Sequence, residues 1–413
     1  MISDRSIKAL SEPSPLVVSH FESAANAFHS DENPAGYINL GTAENYLMGA
    51  EMLAWLNESM QLSEHDLHYG EFRGVEELRE VLAGFLRELS GLSGAKPDNV
   101  VIGNGVSSLL ESLAFSLFDA GDSVIIPAPY YTGYEEDFSH RFSVKIIPAH
   151  MNLDNEYDLD VNVIEQVYLQ AIQRGETVKA ILINNPNNPL GKHYPRKQLE
   201  AVVAFASTYK LQIIADEIYA HSIFNNARGE YESLLSIGAN YKESIHVLYG
   251  LAKDFGLSGF KFAFVYSENI NLIKALSGNA YFYNVSTLTQ SVVTHLFSDL
   301  SKVEVFLSQY KKKLCCAHNA LLQINSDTIN SPILPAQGGH FVFIDLACHL
   351  SSRTHEAELS LYQQLWQYGR VNITPGQYFC CAEPGWFRVC FANNAVVMAE
   401  AFSRLARVVS PLK

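Results

Sequence analysis

The sequence predicts an α/β protein: a large, mostly parallel sheet domain with a smaller α+β unit. Three observations predict it. Short apolar runs alternate with amphipathic stretches through the middle of the chain. The runs are apolar throughout, as strands covered by helices on both faces must be. After about Phe297 the pattern changes to long helical segments, followed by two short alternating runs.

The elements follow in order. "NVVIGNG" reads as a strand and turn, and "SSLLESLAFSLF" as the helix after it. "DSVIIPAPYY" and "SVKIIPAHM" are strands. "VKAILINNPNNPLG" is a strand ending in a polar loop, and "RKQLEAVVAFASTYK" is a helix with apolar positions at helical spacing. "LQIIADEIY" and "SIHVLYGLAK" complete the series of strands. "GGHFVFIDL" and "GWFRVCFAN" alternate like strands of the smaller unit. The large domain is expected over 51–297, and the smaller one combines 1–50 with 298–413.

In open α/β sheets, ligands sit outside the carboxyl ends of the strands. Four apolar runs end on chemically useful groups. "VVI" is followed by Gly103-Asn104-Gly105-Val106-Ser107-Ser108, which opens a helix, and "ILI" by the asparagine-rich loop that contains Asn188. "LQIIA" is followed by Asp216, Glu217 and Tyr219, and "HVLYGLA" by Lys253. Together they offer a phosphate cradle, an amide, a carboxylate and an amine. Pyridoxal 5'-phosphate (PLP) needs this set. Its phosphate needs N–H groups at a helix N-terminus. Its ring nitrogen needs a carboxylate, and its aldehyde needs a lysine for the Schiff base.

The quoted motifs carry a resemblance. "INLGTAEN", "PAPYYTGYEEDF", "NNPNNPLG", "ADEIY", "LAKDFGLSGFKF" and "EPGWFRVCFAN" span nearly the whole chain. They resemble the class I/II aminotransferase superfamily of fold-type I PLP enzymes. More narrowly they are similar to its 1-aminocyclopropane-1-carboxylate (ACC) synthase branch. The resemblance implies the aspartate aminotransferase-like fold, a homodimer and an amino-acid substrate. It implies that Lys253 is the Schiff-base lysine and the base that moves the α-proton, with a pKa lowered by its surroundings. Asp216 would pair with the ring nitrogen, and Tyr219 and Asn188 would bond the ring's phenolic oxygen. Tyr131 would stack on the ring. Val106 and Ser107 would present N–H groups to the phosphate, and Arg388 would hold the substrate α-carboxylate in a bidentate pair.

Three positions depart from the family. Relatives place a serine three residues before the lysine, where this chain has Gly250. They place an arginine eight residues after it, where this chain has Lys261, a point charge without the guanidinium fork. The third is Phe72, at a position where ACC synthases have a tyrosine that reaches the neighbouring subunit's site. Tyr69 is the other candidate for that role. Glu44 matches an acidic residue near the substrate in ACC synthases and could meet a cationic substrate end. It equally suits a cap before "NYLMGAEML". These changes point to a specialised branch that performs β- or γ-elimination, γ-replacement or cyclisation. S-adenosylmethionine is one substrate class with a γ-leaving group. An aminotransferase is the alternative, and a non-catalytic PLP-fold binding protein is more remote.

A dinucleotide oxidoreductase is a rival from another class. "VVIGNGVSS" resembles a GxGxx turn, with Asp122 roughly 20 residues on. Ser108 replaces the third glycine, and Asn188, Asp216, Lys253 and Arg388 would have no roles.

Composition excludes other classes. The 413 residues are 48% hydrophobic and 18% charged, as in globular proteins with a large core. A net charge of −15 argues against a nucleic-acid partner. The basic run Lys311-Lys312-Lys313 reads as the solvated face of an amphipathic helix. The six cysteines form no CxxC pair and no zinc spacing with histidine, so no metal is expected. Reduced thiols suit the cytosol. No signal peptide is visible in "MISDRSIKALSEPSPLVVSHF", and no apolar run approaches the ~20 residues that span a bilayer.

Overall fold

The computed structural model describes residues 2–3, 6–7 and 14–409. Part of the N-terminal stretch read for a leader, and both ends of the expected smaller domain, lie outside them. The strands in chain order are β1 (Ile38–Asn39), β2 (Val100–Gly103), β3 (Ser123–Ala128), β4 (Lys145–His150), β5 (Val178–Asn184) and β6 (Gln212–Asp216). They continue with β7 (Ile245–Gly250), β8 (Ala263–Ser267), β9 (Phe341–Asp345), β10 (Val371–Asn372), β11 (Thr374–Pro375) and β12 (Trp386–Cys390).

Seven strands form one sheet in the order β2-β8-β7-β6-β5-β3-β4. Every residue of β2, β3, β7 and β8 is buried, which explains their unbroken apolar sequences. Each buried Val, Leu or Ile contributes roughly 1.5–3 kcal/mol. The helix Arg196–Tyr209 shows how the cover is built. It buries Leu199, Val202, Phe205 and Ala206, which recur at helical spacing, and ends at Lys210 in the left-handed conformation.

β8 runs antiparallel between β2 and β7, an insertion into an otherwise parallel sheet. Its first residue, Ala263, pairs with both Gly103 and Gly250, the last residues of β2 and β7. The chain therefore enters β8 at the edge where the parallel strands end. Asn184 and Asp216, the last residues of β5 and β6, pair at the same edge. Asp122 immediately precedes β3, whose carboxyl end is Ala128, so it stands at the opposite edge. It cannot meet a ligand at Gly105, which removes the dinucleotide reading.

A second sheet has the antiparallel order β11-β12-β9, with Arg388 of β12 opposite Phe343 and Thr374. β1 pairs in parallel with β10, joining residues far apart in sequence. The three consecutive lysines lie on the helix Leu300–Asp327, where Lys313 bonds Glu51 Oε1 at 2.5 Å and the Leu47 carbonyl at 3.0 Å. Among the described residues, no helix is long and apolar enough to cross a membrane.

Candidate active site

Outside the carboxyl edge of the large sheet lies a cavity of about 410 Å³. Gly105, Val106, Ser107, Lys253 and Lys261 line it from the large sheet's strand ends and loops. Tyr131, Asn188, Asp216 and Tyr219 share its wall, while Glu44 and Arg388 approach from the other side. Phe72 lies elsewhere. It is 38% exposed and packs edge-to-face with Tyr69 and Tyr281, at 6.2 and 5.5 Å between ring centres.

The cradle follows from β2. Gly105 takes a φ of +88°, a backbone that only glycine adopts freely, and the helix Val106–Leu117 starts after it. Its first N–H groups have no helical acceptor, and Val106 and Ser107, which carry two of them, line the cavity. A methyl group on Gly105 would lie 3.3 Å from Lys261 Nζ and 3.5 Å from its Cε. The Lys261 ammonium thus stands over a helix start stripped of its side chain, where an anion is favoured by both the cation and the helix dipole. At Gly250 a Cβ would meet Ala263 Cβ at 3.0 Å, the Phe262 carbonyl at 3.1 Å and Val106 Cγ2 at 3.4 Å. The position borders the cradle but has no ready room for a serine.

The polar wall is tied together by side chains. Asn184 accepts the Asn188 N–H at 2.8 Å and donates to the Asp216 carbonyl at 3.0 Å. Asp216 is 4% exposed; its Oδ2 accepts from the Tyr134 hydroxyl at 2.6 Å and its Oδ1 from the Ile218 N–H at 3.2 Å. Burial raises its pKa, and those two donors oppose the rise. Among the described residues, no cation hydrogen-bonds this carboxylate. Lys253 Nζ donates to the Ala43 carbonyl at 2.7 Å. Burial lowers the Lys253 pKa; Glu44 opposes the change and Arg388 adds to it. Burial holds Tyr219 well above the usual phenol range and pushes Tyr131 up to about 12.

Arg388 is 2% exposed. Its guanidinium lies 4.7 Å from the Phe379 ring centre and donates to Asn188 Oδ1 at 2.9 Å and to the Gly41 carbonyl. Its Nε is buried with no partner among the described residues. Glu44 accepts from Ser258 Oγ at 2.9 Å, whereas the helix Gly49–Ser59 is preceded by Met48. Glu44 is therefore not the cap of that helix.

Sequence reasoning missed several residues. Tyr134 and Asp137 line the cavity on the helix Gly133–Ser139; their spacing from Tyr131 in "PYYTGYEEDF" was the available signal. Val17, His20 and Phe21 of the helix Pro15–Ala25 also line it. No local signal reveals them, because only the docking of that helix brings them there.

These groups fit a phosphorylated pyridine aldehyde: a glycine-cleared cationic cradle, a buried carboxylate with no cation hydrogen-bonded to it among the described residues, and an amine whose charge burial disfavours. Residues 35–405 match the family described as aminotransferase class I and II. The chain belongs to the class I and II aminotransferase family. This family uses pyridoxal phosphate. Among its members, "1-aminocyclopropane-1-carboxylate synthase 2" of Cucurbita pepo is 32% identical over 383 residues, covering 89% of this chain and 77% of that protein. A mouse relative, "Probable inactive 1-aminocyclopropane-1-carboxylate synthase-like protein 2", is 35% identical over 402 residues, covering 94% and 68%. A Thermus thermophilus aspartate aminotransferase double mutant shares the fold, with a TM-score of 0.82, 22% identity and 99% of each chain covered.

The position of Lys261 over the helix start makes it the expected contributor to phosphate affinity. Replacing Lys261 by Ala removes one charge-assisted contact, about 1.5–3 kcal/mol, so PLP should bind about 10- to 100-fold more weakly. Titration of the apo-protein reads this. At saturating PLP the link to Lys253 should still form; unchanged affinity would remove Lys261 from the cradle.

Proposed function

We propose that this family member acts on an α-amino acid with a leaving group at its β- or γ-carbon, by elimination, replacement or cyclisation. The observation that carries the reading is Glu44: a carboxylate fixed by Ser258, close enough to Lys253 to oppose the lowering of its pKa. A carboxylate there suits a cationic substrate end, such as a sulfonium. S-adenosylmethionine is the first substrate to try, because the relatives include ACC synthases.

When bound, pyridoxal phosphate supplies an aldehyde carbon and a cationic ring that draws electrons from the substrate Cα. Lys253, Asp216, Asn188, Tyr219, Tyr131, Val106, Ser107 and Lys261 would hold it. Arg388 takes the substrate α-carboxylate, with its unpartnered Nε as one donor, and so orients the Cα–H bond. Lys253 Nζ, released from the Ala43 carbonyl, accepts the α-proton; the burial that lowers its pKa favours the neutral amine this needs. Glu44 then faces the far end of the substrate. We also propose a homodimer that buries the exposed aromatic face of Tyr69, Phe72, Tyr281 and Phe282, bringing Phe72 to the partner's site.

The test is to incubate the holoenzyme with S-adenosylmethionine and other amino acids, following leaving-group release and keto-acid formation separately. Leaving-group release without net amino transfer is expected. Fast transfer to a keto acid with no elimination product would overturn the reading in favour of transamination.

A further inference from the structure

We propose that Asp137 binds the phosphate end of the cofactor as a neutral carboxylic acid, so that cofactor binding takes up a proton. The inference rests on the reading of this cavity as a pyridoxal phosphate site.

Asp137 lines the cavity together with Gly105, Val106 and Ser107, the start of the cradle helix. Its Oδ2 is buried and has no hydrogen-bond partner among the described residues. A buried, ionised oxygen without a donor is costly, so this position favours the protonated form. The charged groups around it do not relieve the cost. Glu136, Asp216 and Glu111 are acidic, and Arg141 is already paired with Glu111 at 2.9 Å. Tyr131 and Tyr134 are neutral phenols that line the same wall. Lys261 is the cation over Gly105. Burial, aided by Glu136 and Asp216 and opposed by the Ser107 hydroxyl, lifts the Asp137 pKa to about 7.

A phosphate monoester carries about −1.5 to −2 charges near neutral pH. An ionised Asp137 would repel it. A protonated Asp137 donates an O–H to a phosphate oxygen, a short and strong type of hydrogen bond. The phosphate's own charge then raises the Asp137 pKa further. This donor offsets two losses in the same cradle: the hydroxyl missing at Gly250 and the guanidinium fork missing at Lys261.

The sign follows from linkage. Above the pKa of the free protein, each binding event must bring a proton from solvent. Affinity then falls by up to about tenfold per pH unit until the pKa of the complex is reached.

The experiment uses apo-protein and pyridoxamine 5'-phosphate, which forms no covalent link with Lys253. Its dissociation constant is read by protein fluorescence from about pH 7 to about pH 8.5, with expected weakening of about tenfold for the unaltered protein and a flat profile for Asp137→Asn. Pyridoxamine without the phosphate serves as the control for ring protonation and should show no difference between the two proteins. Should the variant fold poorly, calorimetry on the unaltered protein in two buffers of different ionisation enthalpy should show uptake of about one proton near pH 8 that pyridoxamine lacks. Equal pH slopes in both proteins, or no phosphate-specific proton uptake, would overturn the role of Asp137 while leaving the cofactor assignment intact. Failure of both pyridoxamine 5'-phosphate and pyridoxal 5'-phosphate to bind would overturn the cofactor assignment and this inference with it.

Discussion

Replacing Lys253 by Ala should leave a protein that binds PLP without a covalent link and turns over by a factor of on the order of 10⁴ more slowly, or less. The effect is large because one amine is assigned two tasks, attachment of the cofactor and transfer of the α-proton. The amine lies beyond the end of β7, with its charge disfavoured by burial and its Nζ parked on the Ala43 carbonyl at 2.7 Å. Borohydride reduction followed by peptide mass analysis checks it: the unaltered protein should carry the cofactor on the peptide containing Lys253, and the variant on none. A linkage that survives in Lys253→Ala and disappears in Lys261→Ala would reverse the roles of the two lysines.

The second large effect is expected from Asp216→Asn. The change keeps size and shape but removes a charge that is 4% exposed. The protein supplies this carboxylate with two neutral donors, Tyr134 and Ile218 N–H, and burial still raises its pKa. A cationic ring nitrogen is the partner that would restore the ionised form. Breaking such a buried pair costs about 3–5 kcal/mol, or about 10²- to 10⁴-fold in rate if it is felt fully in the transition state. Steady-state kcat/KM reads the loss. A cofactor analogue methylated on its ring nitrogen, which keeps the cation without a carboxylate, should restore part of it. Wild-type turnover in Asp216→Asn would remove the carboxylate from the chemistry.

Both residues were legible as candidates for a simple reason. Each follows an apolar run that can only be a buried strand, and parallel strands put their carboxyl ends on one edge. Tyr134 and Asp137 were not singled out, because a short helix shows its inward face only once its neighbours are known. Gly250 was legible as a missing hydroxyl. That a side chain would press on Ala263 and the Phe262 carbonyl was not, because β8 inserts antiparallel beside β7.

The stretch "YGLAKDFGLSGFKFAF" shows where the division falls. Sequence alone determined the α/β class and the candidate amine, since strand burial and strand-end chemistry are local properties of the chain. It also determined that the cation eight residues later is a lysine. Only the tertiary structure decided that this lysine stands over Gly105, that Glu44 bonds Ser258 rather than capping a helix, and that Arg388 reaches Asn188. Those contacts join residues about 150 to 215 positions apart. They exist because folding closes long loops whose ends no local preference can specify.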